Sequence, residues 1–288
     1  MEPQTWQSVS ESYRLYLVTK AYSGETIKTY LAYASIPWHW FSLRERCMLD
    51  VSAREVATFL AEAARTHKRY TVRNFTCALR AFFVWTIAER LRDDNPTTGM
   101  SLRKPKLQPK RPFSLDELRA LLDAASAPVD LAMVLLLMDG GVRIGELVRL
   151  RVQDIDRSRA VALLYGKGSK ERWISITPRP MAALLVYVGG RTSGPAFLNQ
   201  DGRPMSRERA RKRLMALGER AGVVNVYPHR FRTTFANHFL VSGGDLGALQ
   251  VAMGHEDVAT TARYAGYSQA QRALDQMRQF SLSDELAD

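Results

Sequence analysis

Between Arg103 and Pro112 the chain carries five basic side chains, three prolines and no acidic residue. Proline removes a backbone donor and biases the residue before it away from helix, so three in ten residues exclude a helix or a central strand there. The stretch is expected to be extended and exposed, and it divides the chain in two. A length of 288 residues is long for one compact domain and comfortable for two, and a hydrophobic content of 46% supplies a core for each. The expected organisation is a first domain over 1–102, a linker over 103–112 and a second domain over 113–288 with a C-terminal helix or tail over 268–288. The formal net charge is +12, and five of those charges sit in the linker. Such a balance points to a polyanionic partner, nucleic acid ahead of an anionic membrane surface. Arg103, Lys104, Lys106, Lys110 and Arg111, clustered at a domain boundary, read as a strap along phosphates, with a merely solvated loop as the alternative.

Several classes drop out. Cys47 and Cys77 cannot make a disulfide framework and lack the spacing and histidine company of a zinc site. No apolar run approaches the roughly 20 residues that span a bilayer. The segment from Met1 to Ser10 is polar, unlike a signal peptide. A basic two-domain protein of a reducing, cytoplasmic compartment is expected, associated with the nucleoid and not with membrane.

The first domain reads as all helical. Apolar residues recur at helical spacing in Tyr13/Leu17, Ile27/Tyr30/Leu31, Val56/Phe59/Leu60 and Phe75/Leu79/Phe82/Phe83. Ser52 with Glu55 forms a capping-box pattern, and Asp94-Asn95-Pro96 is expected to end the last of four or five helices. The second domain opens with another such box, Ser114 and Glu117, and two apolar helices reaching Met138. Short β-prone runs, Val161–Tyr165 and Trp173–Ile176, then flank a glycine-rich turn from Gly166 to Lys170. Helices are expected again near 178–188, 206–220, 229–241, 245–253 and 268–280. The fold class is mainly α with a small antiparallel β-sheet (α+β).

Four local patterns carry chemistry, each weak alone. In Gly140-Gly-Val-Arg143-Ile-Gly-Glu146, glycines lead into an arginine whose fork can grip a phosphate, with a carboxylate three residues on to orient it. Lys167 sits in the hairpin turn, where an ammonium can reach and protonate a leaving oxygen. In Tyr227-Pro-His229-Arg230-Phe-Arg232, His229 and Arg232 share a helix face. Gly254-His255 is followed nine residues later by Tyr264, and a tyrosine becomes a nucleophile only where its proton is taken and cations stand by. Singly, these are a surface ion pair, a polar turn, a structural pair and a half-buried aromatic.

Arg-x-x-Glu, Gly-Lys-Gly in a hairpin, His-x-x-Arg, Gly-His and a tyrosine nine residues on, in that order, resemble the tyrosine recombinase (phage integrase) family of Xer-like and integrase-type site-specific recombinases. The resemblance covers 113–267, and the helical first domain is similar to their core-binding (SAM-like) DNA-binding domain. It implies Arg143, Lys167, His229, Arg232 and His255 as the catalytic surround, Tyr264 as nucleophile, and Glu146 as support for the first arginine. One position departs: the residue after the second arginine is usually histidine in the family and is Thr233 here. Tyr267 competes with Tyr264, but the nine-residue offset and the preceding Thr260-Thr-Ala-Arg263 favour Tyr264.

The implied activity is cleavage and rejoining of DNA through a 3′-phosphotyrosyl intermediate. Strand exchange would take place in a homotetramer on two duplexes, with no metal, cofactor or ATP. The protein would be a monomer or weak dimer off DNA. The implied partners are double-stranded core sites and neighbouring subunits exchanging C-terminal helices, with room for an accessory directionality protein. Arg207, Arg209, Arg211, Lys212 and Arg213 along the 206–220 helix are expected to contact phosphates and groove edges. Two readings compete: a type IB topoisomerase, disfavoured by small size and the separate bundle, and a DNA-binding regulator, which has no need of the nucleophile.

Overall fold

A computed structural model describes residues 5–100, 111–166 and 171–254. The chain separates into two compact units, Met1–Leu107 and Gln108–Asp288. In the first, four helices α1 (Trp6–Thr19), α2 (Gly24–Ser42), α3 (Ala53–Thr66) and α4 (Arg69–Ala88) enclose an aromatic core. Tyr13, Phe41, Phe75, Phe82, Phe83 and Trp85 are all fully buried there. The apolar spacings place Tyr13, Leu17, Val56, Phe59 and Leu79 on the inner faces as expected. Ser52 and Glu55 form the capping box at the start of α3. α4 stops at Ala88, well before the Asn95-Pro96 signal, because Arg90 turns into the left-handed region at φ 57°. The intervening chain folds back, and Arg80 Nη2 donates to the carbonyls of Thr97 and Met100 at 3.1 and 2.8 Å.

The second unit begins with α5 (Leu115–Asp123), capped reciprocally by Ser114 and Glu117, and α6 (Pro128–Gly140). α6 is apolar nearly all round, with Ala132 through Leu137 buried, so it becomes the central helix of the unit. It packs against α8 (Pro178–Val188) and α10 (Pro228–Val241). A single turn, α7 (Ile144–Leu147), leads to three antiparallel strands in the order β1 (Ile155–Asp156), β2 (Val161–Tyr165), β3 (Glu171–Ser175). Leu163 pairs with Trp173 and Tyr165 with Glu171, which fixes the hairpin register. The two-residue β1 had no periodicity to announce it, and β3 begins and ends earlier than the sequence pattern implied. α9 (Arg207–Arg220) and α11 (Leu246–Met253) complete the described α-helices; the expected 268–280 helix lies outside the described residues. Among those residues no helix is long and apolar enough to cross a membrane. The chain is mainly helical with one small antiparallel sheet.

Candidate active site

The end of α6 sets up the first arginine. Gly141 caps the helix at φ 54°, and a Cβ there would fall 2.4 Å from the Phe235 ring, so the position requires glycine twice over. The turn delivers Arg143 to the start of α7. Its backbone N–H donates to Glu146 Oε2 at 2.8 Å and its Nη1 donates to Oε1 at 2.7 Å. Glu146 is 2% exposed, and its Oε2 also accepts from Arg172 Nη2 at 2.8 Å. Burial pushes the Glu146 carboxyl upward. The Arg172 charge and the hydrogen bonds from Arg143 and Arg172 outweigh it and hold the group below the usual carboxylate range.

Pro228 at the first position of α10 starts the helix that carries His229 and Arg232 on one face. Arg232 is 3% exposed. Its Nη1 donates to the Gly141 carbonyl and its Nη2 to that of Met253. Thr233 sends its hydroxyl back to the His229 carbonyl at 3.0 Å, a local bond that occupies the departure position within the helix. His229, Arg143 and Arg232 together line a pocket of about 520 Å³ with Val142, Tyr227 and Arg211.

Three successive carbonyls at the end of α11 receive three arginines. Ala252 O accepts from Arg172 Nη1, Met253 O from Arg232 Nη2, and Gly254 O from Arg143 Nη2 at 3.0 Å. The last turn of a helix leaves its carbonyls without intrahelical partners, and here guanidinium groups supply the donors. Gly254, at φ 60°, closes the turn against Arg172. The chain then continues to His255. On the other side of α7, Arg149 Nη2 donates to the Tyr165 carbonyl at 2.6 Å, which ties the hairpin stem to the same turn.

The structure thus brings together Arg143, Glu146, His229 and Arg232. Lys167, His255 and Tyr264 lie outside the described residues, as do Arg103, Lys104, Lys106 and Lys110. Arg111 is exposed, and its carbonyl accepts from Arg230 Nε at 3.2 Å. The basic residues of α9 divide between two flanks. Arg211 lines the pocket, and Arg207 lies across Gly145, its Nε 3.0 Å from where a Cβ would be. Arg209 and Lys212 line a different cavity of about 930 Å³ with Arg191, Arg213 and Arg220. Arg213 is a correction to the expectation for this helix. It pairs with the buried Asp130, which also accepts from Arg220 Nη2 at 3.0 Å, so it braces α9 against α6.

Two residues that stand beside the motifs of the sequence reading, without a role in them, prove to be structural ties. Arg172 shares a strand face with buried Ile174, and that alternation was the available signal. Arg230, 5% exposed, donates to Glu117 at 2.7 Å, to Val224 O and to Pro112 O, and lies 3.9 Å over the Phe113 ring. It bolts the start of α10 to the beginning of the unit. Burial pushes Glu117 up, but the Arg230 hydrogen bonds and the Ser114 N–H hold it below the usual range.

A buried, oriented guanidinium, a second at the pocket wall and an exposed imidazole on one cavity suit a tetrahedral anion such as a phosphodiester. Residues 112–271 match the phage integrase family. The tyrosine recombinase XerC of Chromobacterium violaceum is 31% identical over 270 residues, covering 89% of this chain and 90% of that protein. XerC of Bacillus pumilus is 31% identical over 239 residues, 76% of this chain and 78% of the relative. Among solved structures, the Tn1549 transposon integrase in complex with circular intermediate DNA superposes with a TM-score of 0.70 at 20% identity over 89% of this chain and 94% of that one. A lambda integrase dimer bound to a COC′ core site gives 0.71 at 18% identity over 90% and 94%. At those identities the structural likeness speaks to the fold.

Proposed function

The chain belongs to the phage integrase family and is a site-specific tyrosine recombinase that breaks and rejoins DNA, and we propose that it does so through a 3′-phosphotyrosyl link to Tyr264. The carrying observation is the convergence of Arg143, Arg232 and His229 on one pocket. In this reading the Tyr264 oxygen attacks the scissile phosphorus, and the bond from phosphorus to the 5′ oxygen breaks. Charge grows on the non-bridging oxygens, where Arg143 and Arg232 donate and His255 adds a further hydrogen bond. His229 takes and returns the Tyr264 proton, while Lys167 gives a proton to the departing 5′-hydroxyl. Rejoining reverses each transfer with a new 5′-hydroxyl, and because the ester bond is kept as a phosphotyrosine, ATP is not needed. Glu146 keeps Arg143 aimed without lining the pocket.

The substrate proposed is a double-stranded core site. The linker residues Arg103, Lys104, Lys106, Lys110 and Arg111 neutralise backbone phosphates, and Arg207, Arg209, Arg211 and Lys212 contact DNA from α9. XerH is described bound to a palindromic difH substrate in a post-cleavage complex, and the solved lambda integrase is a dimer on its core site. We propose further, from the family resemblance of the motifs, that strand exchange takes place in a tetramer on two duplexes in the cytoplasm, with residues 268–288 exchanged between subunits.

The test uses full-length protein on a nicked suicide substrate, from which the cleaved end diffuses away. Wild-type chain forms a detergent-resistant adduct and Tyr264→Phe forms none. An adduct of wild-type yield with Tyr264→Phe refutes the assignment of the nucleophile. Lys167→Ala slows cleavage, and a substrate with sulfur as leaving atom restores the rate; an unrestored rate removes the general-acid role.

A further inference from the structure

One side chain on β3 joins the turn that carries Arg143 to the end of α11, and the motif pattern gives it no part. Arg172 lies on the inward face of β3 with its side chain 12% exposed. Its Nη2 donates to Glu146 Oε2 at 2.8 Å, on the turn that carries Arg143. Its Nη1 donates to the Ala252 carbonyl, at the end of the helix that leads into His255. Its own strand pairs with β2, and Lys167 lies between those two strands in the sequence. Gly254 packs so closely on it that a Cβ would lie 2.7 Å from Arg172 Cδ. Arg172 is not among the residues lining the pocket that Arg143, His229 and Arg232 share.

We propose that Arg172 is a positioning residue for strand cleavage, which sets Arg143 through their shared carboxylate and fixes the end of α11 ahead of His255 and Tyr264. The proposal rests on the cleavage chemistry given above. The physical reason for arginine is geometric. A planar guanidinium offers two rigidly diverging donors, one for each acceptor, and stays charged when buried. Lysine has the charge but only a single nitrogen, which cannot keep both the Glu146 oxygen and the Ala252 carbonyl at bonding distance in fixed directions. Without Arg172, Glu146 Oε2 keeps the Arg143 N–H and loses the second of its two donors, and Ala252 O loses its side-chain donor. Arg143 and the α11 terminus would then settle independently, and misplacement of reacting groups by about 1 Å costs about 100-fold in rate.

The experiment compares full-length Arg172→Met, Arg172→Lys and Glu146→Gln in two measurements on one nicked core-site substrate. These are DNA affinity by anisotropy and single-turnover adduct formation at saturating protein. Expected are a fall in adduct formation of about 100-fold for Arg172→Met and about 10-fold for Arg172→Lys, with affinities within about twofold of wild type. The double variant Arg172→Met/Glu146→Gln should lose less than the product of its parents' losses, because the Arg172–Glu146 contact is removed by either change. Arg172→Lys keeps charge and most of the volume, so it decides the matter if the methionine variant fails to fold. Wild-type rates in the lysine variant and in any folded methionine variant overturn the proposal. So does a loss that vanishes at saturating protein, or full additivity with Glu146→Gln. Tyr264→Phe in parallel separates the two levels. An adduct in that variant overturns the cleavage reading itself, whereas normal dependence on Tyr264 with unaffected Arg172 variants overturns only the positioning role.

Discussion

Gly141→Ala probes the turn on which the site is built, and its cost is calculable. The residue sits at φ 54°, where an L side chain costs about 1–2 kcal/mol. The new Cβ would lie 2.4 Å from Phe235 Cδ1 and 2.8 Å from Cε1, the nearer more than 1 Å inside the roughly 3.5–4.0 Å of ordinary carbon contact. Phe235 must therefore move, and it packs against Phe239 in the cluster with Leu249 and Met253 that seats α11. Overpacking of this kind costs a further 1–3 kcal/mol or so, for a total of about 2–5 kcal/mol. Gly202→Ala is the internal control. Its φ is 74°, yet nothing lies within 4 Å of its Cβ position, so it should lose only the backbone portion, about 1–2 kcal/mol. Urea unfolding of both variants reads the difference, and at about 2–4 °C per kcal/mol a thermal scan should separate them as well. Adding Phe235→Ala should bring the cost of Gly141→Ala down to that of Gly202→Ala, since the ring is what the methyl meets. If the two alanine variants are equally stable with Phe235 in place, the close approach is not what makes Gly141 obligatory.

The remaining predictions follow from charge. Because the Glu146 carboxyl is held below its usual range, it stabilises the fold above its unfolded value near 4.3, and that contribution fades as pH falls through the lower folded value. Glu146→Gln should lower the urea midpoint at neutral pH and shrink its drop between about pH 5 and pH 2; an unchanged pH slope would show that Glu146 is not a source of acid sensitivity. Around Asp130 the cost should be asymmetric. Removing both Arg213 and Arg220 leaves a carboxylate that is 4% exposed without either partner, at about 3–5 kcal/mol. Asp130→Asn instead leaves two arginines with 30% and 48% side-chain exposure that water can reach, at about 1–2 kcal/mol. Equal unfolding midpoints for those two variants would contradict the ledger. Neutralising Arg103, Lys104, Lys106, Lys110 and Arg111 should flatten the salt dependence of DNA binding by about 0.9 in log–log slope for each phosphate contact removed; an unaltered slope would take the linker off the DNA.

What was legible in the sequence was local. Arg143 with Glu146, and His229 with Arg232, are three apart on helical turns, so spacing alone placed each pair on one side. Ser52 and Ser114 announced their helices because a capping box is written within four residues. The tethers that hold those pieces in register are non-local and were not legible. Arg172 reaches across 80 residues to Ala252, Arg220 across 90 to Asp130, and Arg230 across 113 to Glu117. In the sequence Arg172 stands beside Lys170 and Glu171 in what reads as a solvated turn, and only its parity with Ile174 betrays an inward face. Arg213 erred in the opposite direction, since one more arginine in a basic helix offered no hint of a buried aspartate 83 residues away.

The way Arg143 and Arg232 are held bears on how they meet a ligand. Arg143 and Arg172 share the single carboxylate of Glu146, so this cluster of three keeps a net positive charge. Arg232 donates to the carbonyls of Gly141 and Met253, neutral acceptors that help to fix its direction. Orientation by backbone also costs no reorganisation when negative charge builds on the phosphate, because the donors already stand where the fold has set them. The helix terminus that supplies three of these carbonyls therefore does two jobs, satisfying its own last turn and holding a cationic pocket open to an anion. In the mechanism proposed above, the segment that carries Tyr264 follows in the sequence directly on the three carbonyls that receive the arginines.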